Sequence, residues 1–246
     1  NVIALTECES TNTLLMDRAA DGAGSGTVLV TDRQTAGRGS RGRHWMASPE
    51  SSLTFSVLWA FPGGLERLSG LSLAVGVAVV RALENCGASG VMLKWPNDIL
   101  HGHAKLGGIL VELHAEPDSA MAVVGIGLNL AAPAEDLPQP AAGLAEAGVV
   151  ADRHQVLAAI LAELAGVHEV FAARGFAALR EDWQRFHAWQ GLSVQILGEG
   201  AVVQGVCLGV DADGSLLLDT AQGVERIFSG DVSLRRSVNG PAEGEP

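Results

Sequence analysis

Lysine is nearly missing from this chain. Of its 16 basic residues only Lys94 and Lys105 are lysine, and both fall within one 12-residue stretch. The planar fork of arginine cannot copy a compact ammonium on a flexible stem, so the pair is a first candidate for local chemistry. Positive charge as a whole is short, 16 Lys plus Arg against 28 Asp plus Glu, giving a formal net charge of −12. The average field repels nucleic acid and anionic lipid, so an anion site has to be local. Cys8, Cys86 and Cys207 are odd in number and form no C-x-x-C. This argues against a disulfide scaffold or a cysteine zinc site and fits a reducing cytoplasm. No run reaches the ~18 to 20 uninterrupted apolar residues of a membrane span, and the richest, residues 71–80, is broken by Ser72 and Gly76 and stopped by Arg81. Residues 1–9 have neither a basic nor a long apolar stretch, so a secretory signal is not expected there, and the first residue is Asn rather than Met.

What is present is a globular composition, 246 residues with 48% hydrophobic and 18% charged, enough for one large domain or a medium one plus a small one. Ser10 ahead of Leu14, Leu15 and Met16 reads as the N-cap of a short helix running to about Asp21. Residues 27–31 read as a strand, and Leu53, Phe55, Val57 and Trp59 alternate along another, predicting one buried sheet face. Residues 65–86 predict a long buried helix closed by Gly87. Three strand-like runs follow (91–95, 106–113 and 121–130), as for an antiparallel meander, and then an Ala/Pro-rich loop over 131–148. Asp152 and Gln155 are spaced as a capping pair for a helix to Arg174, whose apolar stripe is Val156, Ile160, Leu164, Val167 and Phe171. A second helix is expected over 176–189. After Gly191 the texture changes to five short strands, which suggest a small barrel, and the tail from Asn239 is expected to fray.

Three segments carry chemistry. Residues 33–45, RQTAGRGSRGRHW, hold four of the 16 cations, with no acid from Arg33 to Pro49. Glycines let backbone N–H groups approach an anion, and arginine adds permanent charge with bidentate geometry, so the loop reads as a polyanion cradle. It is neither a P-loop nor a dinucleotide fingerprint. In K-W-P-N-D-I-L and K-L-G-G-I-L-V-E, turn residues bring Lys94 and Lys105 to the mouth of a hairpin with Asp98 between them. There the ammoniums would neutralise phosphate charge, while Asp98 would hold magnesium or steer an amine. In V-V-G-I-G-L-N-L, Gly125 and Gly127 leave room for a ligand or another backbone, and Asn129 adds a directional amide. His101, His103 and His114 lack a further well-placed ligand, so a metal site is not expected, and no nucleophile motif is visible.

In this order the G-R-G-x-x-G-R-x-W loop, K-W-P-N-D, K-L-G-G-I and Gly125 to Asn129, preceded by Ser10-Thr11-Asn12 and Gln34, resemble a biotin protein ligase over nearly the whole chain. The resemblance implies an α+β fold. It consists of a catalytic domain like that of class II aminoacyl-tRNA synthetases over residues 1–190, a mixed or antiparallel sheet flanked by helices, and an SH3-like β-barrel over 191–246. It implies activation of biotin by MgATP to biotinyl-5'-AMP, then transfer to a lysine of the biotin carboxyl carrier protein of acetyl-CoA carboxylase. Biotin, ATP and Mg2+ are thus the expected small molecules. Carried over by motif, Ser10, Thr11, Asn12 and Gln34 hold the biotin head group. Gly37, Arg38, Gly39, Ser40 and Trp45, with Lys105, Gly107 and Gly108, complete the biotin site. Arg38, Arg41, Arg43 and Trp45, with Lys94, Asn97, Asn129 and Arg235, face ATP. Arg38, Lys94, Asp98 and Lys105 are the catalytic set, Asp98 assisting acyl transfer, and no metal ligand is assigned.

Where many members read G-R-G-R, this chain has Ser40. Either Arg41 compensates or the adenylate is held loosely and escapes. The motifs begin at residue 10, so the resemblance implies a stand-alone enzyme without a DNA-binding domain, bound to neither DNA nor membrane; monomer and homodimer both stay open. A lipoate-protein ligase and a non-catalytic ligand-binding module are the alternatives.

Overall fold

The computed structural model describes residues 1–46, 48–116, 118–133, 139–197, 202–228 and 233–236. The tail from Asn239 and the first residues of the last expected strand lie outside them. Two sheets organise the chain. The larger has seven strands, β1 (Val2–Cys8), β2 (Val28–Gln34), β3 (Ser52–Pro62), β4 (Val91–Lys94), β5 (Asp98–His101), β6 (Ala104–Ala115) and β7 (Ser119–Asn129), in the order β1-β2-β3-β7-β6-β5-β4. Only β1 and β2 run parallel; all other neighbours are antiparallel. β1 is an edge strand of largely exposed residues, and without buried alternation its sequence gave no strand signal. The meander has four strands rather than three, because the Asn97 turn is tight enough for residues 98–101 to pair back on β4.

Helix α1 (Thr11–Ala20) is capped by Ser10, whose hydroxyl accepts from the Thr13 N–H at 3.4 Å. It covers one face of the sheet, with Leu15 and Ala19 packed on Leu29, Leu58 and Val123. The opposite face, carrying Leu53, Phe55, Val57 and Trp59, packs on α2 (Leu71–Asn85) and α3 (Arg153–Arg174). Both faces of β3 are therefore buried, not one: alternation marks the large apolar face, whereas the α1 face also buries Thr54 and Ser56. Full burial of each large side chain here is worth about 1.5–3 kcal/mol. The helix expected over 65–86 is broken. A 3-10 turn over Leu65–Leu68 ends before Gly70, at φ 78°, and α2 starts afresh. A Cβ at Gly70 would lie 2.6 Å from Phe176 Cβ, so contact with that segment as well as backbone conformation selects glycine.

α3 starts at the expected capping box, Asp152 with Gln155, and all five stripe residues are buried. By length and composition Leu65–Asn85 and Arg153–Arg174 are apolar enough to cross a membrane. Here α2 is the central core helix and α3 lays its stripe against that core. Leu65–Asn85 is two-thirds buried over its most apolar window, as a core helix should be. The segment expected as a second helix is a 3-10 turn, Phe176–Leu179, followed by α4 (Arg180–Phe186), which ends at His187.

The smaller sheet holds five antiparallel strands, β8 (Ser193–Leu197), β9 (Val203–Val210), β10 (Leu216–Thr220), β11 (Gly223–Ile227) and β12 (Ser233–Arg236), ordered β11-β10-β9-β8-β12. Its buried side joins the same core through Val194, Cys207, Leu216 and Leu234. The joint is tied by polar bonds: Trp95 Nε1 donates to the Gly214 carbonyl at 3.0 Å, and Arg180 Nε to the Val210 carbonyl at 2.7 Å.

Candidate active site

On the α1 face of the large sheet, β3 and β7 run side by side with small or polar residues facing out. Thr54 pairs with Gly127 and Ser56 with Gly125, leaving a trough. The protein's own side chains enter it: a Cβ at Gly125 would collide with Asn12 Oδ1, and one at Gly127 with the Trp45 ring. The two glycines were expected to admit a ligand or another backbone; they admit Asn12 and Trp45, which in turn line the cavity.

That cavity has a volume of about 450 Å³, within the range of small-molecule sites. One end is neutral and linked by hydrogen bonds that leave acceptor capacity for a ligand. Gln34 Oε1 accepts from the Thr11 N–H at 2.7 Å and from its hydroxyl at 3.1 Å. Ser56 Oγ lies 2.7 Å from Thr11 Oγ1 and 2.6 Å from Asn12 Oδ1. Ser10, Thr11, Asn12 and Ser56 are all at most 3% exposed, so each group must be paired there by protein or ligand. Asn12 Nδ2 donates to Glu112 Oε2 at 2.9 Å and to the Leu110 carbonyl at 3.2 Å.

The arginine loop folds over this end as a small hairpin, bridged between Arg38 and His44, with the Trp45 N–H donating to the Gly37 carbonyl at 2.9 Å. Trp45 Nε1 donates to Thr54 Oγ1 at 3.2 Å. Arg38 bonds Thr13 Oγ1 at 3.1 Å and Glu112 Oε1 at 2.5 Å. Arg43 folds back on Ser40, donating to its carbonyl at 3.1 Å and its hydroxyl at 3.0 Å. Arg41 has left-handed backbone, φ 62°, and its residue lines an adjoining cavity of about 370 Å³.

This second cavity carries the charge. Asp98 sits between two ammoniums: Lys94 Nζ lies 3.2 Å from Oδ2, and Lys105 Nζ is ion-paired with Oδ1. Burial pushes the Asp98 carboxyl up, but Lys105 and Lys94 outweigh it and hold the group below the ordinary carboxylate range. Lys94 is 5% exposed, and its burial, with repulsion from Arg235 and Lys105, depresses its pKa against the opposing pull of Asp98. The face of Trp189 lies 4.8 Å from its Nζ, which stabilises the ammonium. Ser40, Arg43, Asn97 and Arg235 line both cavities, which makes them one continuous wall.

The expected cations thus converge, from two distant strand connections and the last strand. Lys105 and Arg38 belong to the first cavity and Lys94 and Asp98 to the second, while Arg43 and Arg235 line both. Arg33 does not join them; it pairs with Glu7 on the surface at 3.2 Å. Gly37 and Gly107 stand behind the lining: a Cβ would meet the Trp45 carbonyl at the first and the Gly127 carbonyl at the second. Asn129 gives its amide hydrogens to the Lys105 and Ala142 carbonyls, leaving only an acceptor for a ligand. Asn97 donates to the Ile109 carbonyl at 2.8 Å, which fixes the turn. Sequence reasoning missed Ser56, Thr54, Glu112 and Trp189. The first three are polar residues in otherwise apolar strand patterns, a usable signal; Trp189 had none. Among the described residues, no three or more His, Cys, Asp or Glu side chains are grouped to hold a metal ion.

Residues 4–129 match the family described as Biotin/lipoate A/B protein ligase, and residues 191–235 match the Biotin protein ligase C terminal domain. Bifunctional ligase/repressor BirA of Escherichia coli (strain K12) is 33% identical over 239 residues, covering 96% of this chain and 74% of that protein. A biotin–[acetyl-CoA-carboxylase] ligase of Paracoccus denitrificans is 32% identical over 237 residues, covering 93% and 98%. The solved structure of biotin protein ligase from Aquifex aeolicus in complex with biotin and ATP superposes with a TM-score of 0.81 at 33% identity, over 96% of this chain and 99% of that one.

Proposed function

Because this chain belongs to the Biotin/lipoate A/B protein ligase family, we propose that it is a biotin protein ligase whose two adjoining cavities take biotin and ATP and whose product is a biotinylated carrier lysine. The observation that carries the reading is the junction itself: a neutral pocket with its hydrogen bonds in place meets a wall of Lys94, Lys105, Arg43 and Arg235. The neutral end suits a ureido head group, which has N–H donors and a carbonyl acceptor. A dithiolane would leave Thr11, Asn12 and Ser56 without ligand partners, which favours biotin over lipoate.

In the first step a biotin carboxylate oxygen attacks the α-phosphorus of ATP. An acyl–phosphate bond forms, the α–β phosphoanhydride breaks, and pyrophosphate leaves with the electron pair. In the second, the neutral amine of the carrier lysine attacks the acyl carbon; the amide forms, AMP departs with the C–O electrons, and the attacking nitrogen gives up one proton to the departing phosphate or to solvent. Neither step needs an enzyme nucleophile. Positioning and charge stabilisation by Arg38, Arg43, Lys94 and Lys105 suffice in kind. Held below the usual carboxylate range, Asp98 is a weak base, so its part is to anchor the two ammoniums and attract the incoming amine. Among the described residues no group of carboxylates suits a protein-held magnesium: Glu112 is engaged by Arg38 and Asn12, and Asp98 by two lysines. The domain division near residue 190, a class II synthetase-like core and an SH3-like closure of the five-stranded sheet belong to the same reading, as does a carboxyl carrier partner in the cytoplasm.

The test is the mass of a biotin carboxyl carrier domain after incubation with the protein and MgATP, with biotin or with lipoate. Gain of one biotinyl group and no lipoyl group is expected. An unmodified carrier, together with no biotin-dependent ATP–pyrophosphate exchange, would favour a binding module instead.

A further inference from the structure

Glu112, on β6, sets a carboxylate against Asn12 of the first cavity and Arg38 of the loop that folds over it. Both of its oxygens are used. Oε1 accepts from Arg38 at 2.5 Å, while the same guanidinium bonds Thr13 at 3.1 Å; Oε2 accepts from Asn12 Nδ2 at 2.9 Å. The Leu110 carbonyl takes the other amide hydrogen of Asn12, at 3.2 Å. With both hydrogens donated, Asn12 turns Oδ1 toward the Ser56 hydroxyl and against the Gly125 backbone. The reversed amide would set an oxygen against a carbonyl and a carboxylate, neither of which can donate. Asn12 is 3% exposed and lines the first cavity, so what it offers a ligand there is the remaining acceptor capacity of Oδ1.

We propose that Glu112 is a positioning residue of the ligase site: one oxygen fixes Asn12 as an acceptor for a ureido N–H of biotin, and the other holds Arg38 beside the same head group. The inference rests on the biotin reading and deepens it. It gives the carboxylate a purpose, because only a group with two acceptor oxygens can serve a neutral amide and a guanidinium at once. Glutamine retains one acceptor and serves one partner; leucine serves neither.

The experiment titrates biotin, and each of the two cyclic carbamate analogues in which one ureido N–H is replaced by ring oxygen, into the whole chain and its Glu112→Gln and Glu112→Leu variants. The wild type is expected to prefer biotin over at least one carbamate by about tenfold or more, the worth of a buried hydrogen bond. Glu112→Leu should weaken biotin by about tenfold and compress that preference to within about threefold, because the amide then loses one of the two acceptors that fix its orientation, and Arg38 loses its anchor. Glu112→Gln should fall between. Folding is checked by the melting temperature, and if the leucine variant does not fold, the glutamine variant decides. Folded variants that keep both the wild-type Kd and the wild-type preference would overturn the inference alone. Failure of the wild type to bind biotin would remove the reading beneath it, and the inference with it.

Discussion

The two halves of the site achieve order by opposite means. At the neutral end Thr11, Asn12 and Ser56 are buried and, with half-buried Gln34, are linked by short hydrogen bonds from α1 to β2 and β3. At the other end Lys94, Asp98 and Lys105 are charged, and a two-against-one arrangement leaves net positive charge facing the cavity. Neutral networks give direction at low cost in desolvation. Charge gives strength and range but has to be compensated when buried. On the proposed function this is a division of labour, with specificity assigned to the neutral groups and stabilisation of developing charge to the charged ones.

Removing Asp98 should break the comparison most severely. Asp98→Leu leaves two ammoniums repelling each other, one at 5% exposure, and should cost roughly 3–5 kcal/mol of stability, read by denaturant unfolding. A loss below ~1 kcal/mol would mean that the charged half is not held by this pair.

Acid should loosen the support of the charged half. His187 bridges to Leu93, next to Lys94, and burial pushes its pKa down to about 4. The folded state then binds fewer protons than the unfolded chain. Stability from the neutral imidazole is full above the usual 6.5 and declines as pH falls toward 4, by roughly 3 kcal/mol. The Asp98 carboxyl is also held low, so its contribution is full above the ordinary 3.8 and is lost only as pH falls from there through its own depressed value. Unfolding curves from pH 7 to 4 should show the decline, and His187→Phe should flatten it.

Ser56→Ala probes the neutral half alone. It withdraws a hydroxyl from Thr11 and Asn12, and should weaken biotin by about tenfold while the affinity for ATP stays within about twofold. Equal losses for both ligands would blur the division. The mildest change, Trp189→Leu, removes the aromatic face over Lys94 and should lower the adenylation rate by about threefold to tenfold, leaving biotin Kd unchanged. Biotin-dependent pyrophosphate exchange reads it.

Much of this was legible beforehand. The Ser10 cap, the Asp152–Gln155 capping box and the α3 stripe are local or periodic, so spacing alone exposes them. The Lys94–Asp98–Lys105 cluster was legible too, because a tight turn relates residues 94 and 98 and one hairpin brings 105 back. β1 was not, since an edge strand that alternates only between exposed and half-buried has no fully buried face to mark it, and the break at Gly70 was not, since Phe176 enforces it from more than a hundred residues away.

By itself the sequence determined the periodic elements, the caps and the clustering of scarce cations, because these depend on neighbours within a few residues. Tertiary structure alone decided that Gly125 and Gly127 receive Asn12 and Trp45, that Glu112 serves Asn12 and Arg38, and that Trp189 covers Lys94. Those pairings join residues tens to more than a hundred positions apart. Only the packing of α1, the arginine loop and the segment after α4 against one sheet brings them within bonding distance.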